Sequence, residues 1–322
     1  MQPIFTVDNT VRGQERLADD RLTKLANKQQ SKMFDLGEMD VSLDETTQTL
    51  WTYMAPIGSP NFSSTMLRDI MTIQAELRRL YHDMNSLPVP KFLVLASKFP
   101  GVFNLGGDLK LFSNLIAAKD QQNLTDYALK CVQVFYDNYV SADLPIVTIA
   151  LVQGDALGGG FESALSFNVI IAERGSKFGL PEASFGLFPG MGAHAKLTRL
   201  LGAAQAERMI LSGKTYSAED LYELGIVHVL AEPGEGRTAA QRFITRNTAK
   251  HDGLVRTFHA MRQINPITLA ELERIVSIWV DAALNVAPQN LRLMQRISAA
   301  QEKLWLSSST EPALAAAGAA SG

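Results

Sequence analysis

Gly154-Asp155-Ala156-Leu157-Gly158-Gly159-Gly160-Phe161-Glu162 is the stretch on which the fold turns. Just before it, Ile146 to Val152 is a continuous apolar run, as expected of a strand buried on both faces. Phe161 to Phe167 reads as a helix. The order is therefore strand, glycine turn, helix. Glycines let a ligand approach the backbone closely. The first N–H groups of a helix lack internal partners and carry partial positive charge. Such a turn suits a developing negative charge. The same residues also suit a tight turn in which Glu162 simply offsets the helix dipole.

Two further segments frame this turn. Upstream, Lys91 to Ala96 reads as a buried strand, and Phe103-Asn104-Leu105-Gly106-Gly107-Asp108-Leu109 follows with paired glycines before a helical pattern. Alone, that is ordinary turn chemistry. Downstream, the strand Val169 to Ala172 precedes Phe178-Gly179-Leu180-Pro181-Glu182, which runs on to Pro189-Gly190-Met191-Gly192. Apolar surroundings raise a carboxyl pKa by desolvation. That suits a group which both takes and gives protons near neutral pH. A solvent-facing turn glutamate is the alternative for Glu182.

Farther out, Leu50 to Met54 reads as a strand. Pro60 introduces a helix to about Asn85, with Met66, Ile70, Ile73, Leu77 and Leu80 at helical spacing. A second helix spans Leu124 to Tyr139. The alternation predicts an α/β fold with crossover connections. After Arg246 the chain reads as helical over Leu254 to Gln263, Leu269 to Ala287 and Asn290 to Leu306. The expected organisation is an N-terminal extension (1–46), an α/β core (47–245), a helical region (246–306) and a flexible tail (307–322).

The 322 residues are 46% hydrophobic with a net charge of -3, so no basic excess points to nucleic acid or to an anionic membrane surface. No apolar stretch approaches the roughly 20 residues that span a bilayer, and the first residues carry no secretory pattern. A cytoplasmic protein is expected. The lone Cys131 falls in an apolar helical pattern and reads as core. The five histidines show no metal-ligand spacing, and no metal is expected. Gly213-Lys214-Thr215 looks like the end of a phosphate-binding loop, but Arg208 stands where that loop needs glycine. His194 reads as a packing or rim residue.

Taken together, the three glycine- and glutamate-bearing segments resemble the crotonase (enoyl-CoA hydratase/isomerase) superfamily, over about residues 48 to 306. The stretch from Leu211 through Asp220, followed by Leu224-Gly225-Ile226-Val227, adds to the likeness. The resemblance implies repeated ββα units with a C-terminal helical region. It implies Gly107 and Gly159 as oxyanion-hole donors, with Gly106 the neighbour that competes with Gly107. It implies Glu162 and Glu182 as the acid/base pair, and Met191 and Trp279 as candidates for the acyl pocket; Trp279 at helical spacing with Ile275 also suits plain core.

Within the superfamily the finer pattern is most similar to the diffusible signal factor synthases. The residues that carry it are Phe103 to Leu109, Gly159-Gly160-Phe161-Glu162-Ser163-Ala164 and Pro189-Gly190-Met191-Gly192-Ala193-His194. This implies dehydration of a 3-hydroxyacyl carrier protein, then hydrolysis to a free cis-2-enoic acid used as a quorum-sensing signal. Glu182 would take the alpha proton. Glu162 would protonate the departing hydroxyl and then serve as base for hydrolysis. No cofactor is implied beyond the phosphopantetheine thioester of acyl carrier protein or coenzyme A. The implied assembly is a trimer or hexamer, with a regulatory sensor protein as a possible partner. The alternatives are an enoyl-CoA hydratase of fatty-acid degradation and a non-catalytic binding partner of the same fold.

Overall fold

The computed structural model describes residues 36–83 and 89–318, with side chains through Ser308. The chain folds as two sheets fed by the same strand–turn–strand units. Strands β3 (Phe92–Ser97), β5 (Val147–Val152) and β7 (Val169–Glu173) run parallel in the larger sheet. The short strands that follow each of them, β4 (Val102–Asn104), β6 (Asp155–Leu157) and β8 (Lys177–Gly179), run parallel in the smaller one. Strand β9 (Thr215–Ser217) closes the smaller sheet antiparallel to β8. The larger sheet has the order β1-β2-β3-β5-β7-β10, where β1 is Met39–Asp44, β2 is Thr49–Met54 and β10 is Val229–Ala231.

The helices are α1 (Ser64–His82), α2 (Leu109–Ala117), α3 (Gln121–Tyr139), α4 (Gly159–Leu165), α5 (Ala193–Leu201), α6 (Ala203–Ser212), α7 (Ala218–Glu223) and α8 (Gly236–Asn247). Three more, α9 (His251–Ile264), α10 (Leu269–Leu284) and α11 (Pro288–Gly318), form the C-terminal region.

Period-two alternation sorts the large sheet's side chains onto two buried faces. Phe92, Val94, Val147, Ile149 and Val169 pack with Ala240 and Ile244 of α8. Leu93, Leu95, Ala150, Val152 and Ile170 join the main core with α1 and α3. This two-sided burial is why β5 reads as unbroken apolar sequence.

Two expected boundaries are corrected. Residues 36–46 are not extension: β1 pairs antiparallel with β2 from Met39↔Met54 to Asp44↔Thr49. Its alternating polar residues sit at a sheet edge, so it lacks the apolar run that marks a central strand. The expectation for residues 1–35, and the end of the first helix at Asn85, fall outside the described residues. At the other end, α11 continues to Gly318, so the expected flexible tail from 307 begins as helix. Its Ala, Leu and Glu have good helix propensity, which the Ser and Gly content concealed.

Asp69 on α1 anchors the approach to β1. It is fully buried, and its Oδ2 accepts from the Gly37 N–H at 2.8 Å and the Glu38 N–H at 2.7 Å. Asp69→Ala leaves both donors without their acceptor. We expect a loss of about 3 kcal/mol, measured by urea unfolding. A loss below about 1 kcal/mol would show that this tether contributes little.

Candidate active site

Parallel strands direct their C-terminal ends to one side, where ligands of open α/β sheets bind. Here β4, β6 and β8 are neighbours in the smaller sheet. The Leu105–Asp108 loop leaves β4, the glycine turn leaves β6, and Glu182 follows β8 on the 3-10 turn Pro181–Phe185. Segments far apart in sequence thus meet at one cavity of about 240 Å³. Gly107, Gly159, Glu162, Glu182, Met191 and Trp279 all line it.

The two glycine loops touch. An ideal Cβ on Gly159 would lie 3.4 Å from Gly106 Cα and 3.5 Å from Gly107 N. Gly106 has φ +96°, and its N–H donates to Asn104 Oδ1 at 2.7 Å. Its carbonyl accepts from Phe62 N at 2.8 Å. Both polar groups of Gly106 are therefore occupied, which separates it from Gly107. The Gly107 N–H and the Gly159 N–H, the latter at the first position of α4, have no acceptor among the described residues. Tyr127 braces this loop, donating to the Phe62 carbonyl and accepting from Asp108 N at 3.1 Å.

Glu162 is 2% exposed. Its Oε1 accepts three backbone N–H bonds, from Met191 at 2.9 Å, Gly192 at 2.8 Å and Ala193 at 2.9 Å, at the start of α5. Burial pushes this carboxyl up, and the three N–H bonds pull it back toward the charged form. Glu182 has much less support. Its Oε2 is buried with no partner among the described residues, although the residue as a whole is half-buried. Burial first, and then the Glu162 charge, push its carboxyl well above the ordinary range. Both carboxyls are raised, Glu182 the further of the two, because three N–H bonds offset the burial of Glu162.

This has a stability consequence. A raised folded-state carboxyl pKa means that the native state binds more protons than the unfolded one above the ordinary carboxyl pKa. Its stability contribution is full below that ordinary pKa and is lost as pH rises through the folded value. Glu182→Gln should therefore melt above the parent at pH 8, with a gap that narrows toward pH 4.5. A gap that widens on acidification would contradict a raised Glu182 carboxyl.

Trp279 is both wall and core: it packs against Phe112 with ring centroids 5.0 Å apart and stands 2.8 Å from a Cβ placed on Gly190. Met191 contributes a side chain to the wall and its N–H to Glu162. Cys131, assigned to the core, also faces the cavity, and burial pushes its thiol up to about 12. His194 lies outside the lining, with its ring edge-on to Phe188 at 5.5 Å. Among the described residues no cluster of His, Cys, Asp or Glu is placed to hold a metal ion. Nor is any helix among them long and apolar enough to cross a membrane.

Asn104 and Tyr127 were missed as site-building residues. Asn104 left a signal, as a polar residue inside the otherwise apolar β4. Tyr127 left none, because its spacing on α3 is that of a core residue.

Two sheets that share strand–turn–strand units, with paired glutamates under two glycine turns, define a crotonase-fold protein. The family described as enoyl-CoA hydratase/isomerase matches residues 70–233, and the chain belongs to it. Among solved structures, a putative enoyl-CoA hydratase from Streptomyces avermitilis is 22% identical, with a TM-score of 0.64 over 81% of this chain and 89% of that one. An enoyl-CoA hydratase from Bacillus halodurans is 18% identical, with a TM-score of 0.66 over 81% of this chain and 100% of that one. Pseudomonas aeruginosa DspI is 27% identical, with a TM-score of 0.58 over 77% of this chain and 93% of that one.

Proposed function

We propose that the chain dehydrates a 3-hydroxyacyl thioester of acyl carrier protein and then hydrolyses the product to a free cis-2-enoic acid signal. The observation that carries this reading is the unequal pair, an unpartnered Glu182 carboxyl beside a Glu162 held by three N–H groups, under two free glycine amides. The signal-synthase likeness of the three segments supports the choice of substrate.

In dehydration, the Glu182 carboxylate takes the alpha proton. The enolate oxygen is held by the Gly107 and Gly159 N–H groups, acting as preorganised donors. The carbon–oxygen bond at the beta position breaks, and Glu162 gives its proton to the departing hydroxide, releasing water. Glu182 ends protonated and Glu162 charged, the arrangement that the three N–H bonds to Glu162 favour. In that state Glu162 is poised to act as base on a water that attacks the thioester carbonyl. The same two N–H groups hold the tetrahedral oxyanion. The thiolate leaves with the proton that Glu162 took from water.

Dehydration thus ends in the protonation state that hydrolysis needs, and each new cycle requires a proton to pass from Glu182 to Glu162. The superfamily likeness supports assembly into trimers or hexamers, the signal-synthase likeness supports a regulatory sensor protein as a partner, and the sequence pattern supports a cytoplasmic location.

The test is mass spectrometry of free acids after incubation with matched 3-hydroxyacyl thioesters of acyl carrier protein and of coenzyme A. Release of the 2-enoic acid, faster from the carrier protein, is expected. Reversible hydration of coenzyme A thioesters without free acid would assign the chain to fatty-acid degradation.

A further inference from the structure

Gln301 lies one helical turn beyond Ile297 on α11, and both side chains line the cavity. Gln301 is 9% exposed, and its Oε1 is buried without a hydrogen-bond partner among the described residues. A native buried acceptor is ordinarily paired, so one left open inside a ligand cavity calls for an explanation. Neither the glutamate pair nor the glycine loops use it. The next residue, Glu302, pairs with Lys110 at 3.5 Å, and Lys110 is in the first turn of α2, just after Gly107 and Asp108. Gln301 is thus carried by a helix tied to the one that follows the Gly107 loop; in the proposed function, on which this inference rests, that loop holds the thioester carbonyl.

An open carbonyl oxygen needs a donor. On a 3-hydroxyacyl or enoyl thioester the donors are few. The thioester oxygen is an acceptor and faces the glycine amides. The beta hydroxyl belongs to the glutamates. The hydrocarbon chain has no donor. The next one is the amide N–H two carbons beyond the sulfur, on the carrier arm. We propose that Gln301 Oε1 accepts a hydrogen bond from this first amide of the phosphopantetheine arm, making Gln301 a recognition residue for the carrier rather than for the acyl chain.

The test uses two short 2-enoyl thioesters that differ at one position. One is the N-acetylcysteamine thioester, which has the amide N–H. The other is its ester isostere, with oxygen in place of that N–H. Consumption of the conjugated thioester is followed for the parent, Gln301→Leu and Gln301→Met, with melting temperatures as the folding control. We expect the parent to prefer the amide about tenfold in kcat/KM, a factor typical of one hydrogen bond. Both variants should lose that preference by losing rate on the amide alone, mainly through KM.

Equal losses on both substrates, or a preference that survives in both variants, would overturn the proposal. So would a parent that instead prefers acyl chains bearing a distal hydroxyl and loses that preference in Gln301→Leu. If the parent consumes neither thioester, the thioester reading of the site itself falls. That outcome is distinct from a wrong role for Gln301, in which the parent consumes both.

Discussion

Glu162→Gln should lower both dehydration and hydrolysis about 10²–10⁴-fold, the usual contribution of one positioned acid or base, while remaining folded. The reason it stays folded is local. A glutamine at 162 keeps a carbonyl oxygen where Oε1 accepts from Met191, Gly192 and Ala193. The three donors therefore stay paired, and only the titratable proton is lost. Glu182→Gln should show a different profile: dehydration falls by a similar factor, because the alpha proton has no acceptor. Hydrolysis of a ready-made cis-2-enoyl carrier protein should fall much less, because Glu162 supplies that base. Measuring both steps separately for both variants checks the assignment. Release of free acid at the parental rate by Glu162→Gln would rule out its second role.

The second large effect concerns adjacent glycines. At Gly160 an added Cβ would stand 2.0 Å from the backbone carbonyl oxygen of Asn104 and 2.7 Å from its carbon. Neither atom is a flexible side-chain end, so α4 and β4 must separate. We expect Gly160→Ala to lose at least about 3 kcal/mol, toward the upper end for overpacking, or to fail to accumulate as folded protein. Gly159→Ala should stay within about 1 kcal/mol of the parent, since its nearest contact is an ordinary 3.4 Å from Gly106 Cα. Gly158 is constrained differently: its φ is +53°, and a Cβ there would lie 2.7 Å from Glu182 Oε1. Thermal melts of the three alanine variants would check the order. Equal stability at 159 and 160 would mean that β4 and α4 are not held this closely.

The tripled glycine was legible as a strand-to-helix turn because glycine and apolar periodicity are local signals. Gly107 could not be separated from Gly106 in sequence, since the difference is a single bond from Gly106 N–H to Asn104 Oδ1. The pairing of β4, β6 and β8 was also hidden. Three-residue strands carry too little periodicity to read, yet their alignment is what brings the motifs together. Glu162 and Glu182 were found by resemblance to a family. Their unequal environments depend on the N-terminus of α5, which meets Glu162 only in three dimensions. Gln301 gave no local signal, because a glutamine on an amphipathic helix reads as solvent-facing until the helix is seen over the cavity.

In the proposed reaction this site stabilises a thioester enolate made by proton transfer to Glu182. The most direct measurement is exchange of the alpha hydrogens of a saturated acyl carrier protein in D₂O, followed by mass spectrometry. Such a substrate has no beta hydroxyl to lose, so exchange reports enolate formation alone. Catalysed exchange by the parent is expected, faster as pH rises and the raised Glu182 carboxyl ionises, and abolished in Glu182→Gln. No exchange above the uncatalysed rate, or exchange that persists in Glu182→Gln, would contradict it.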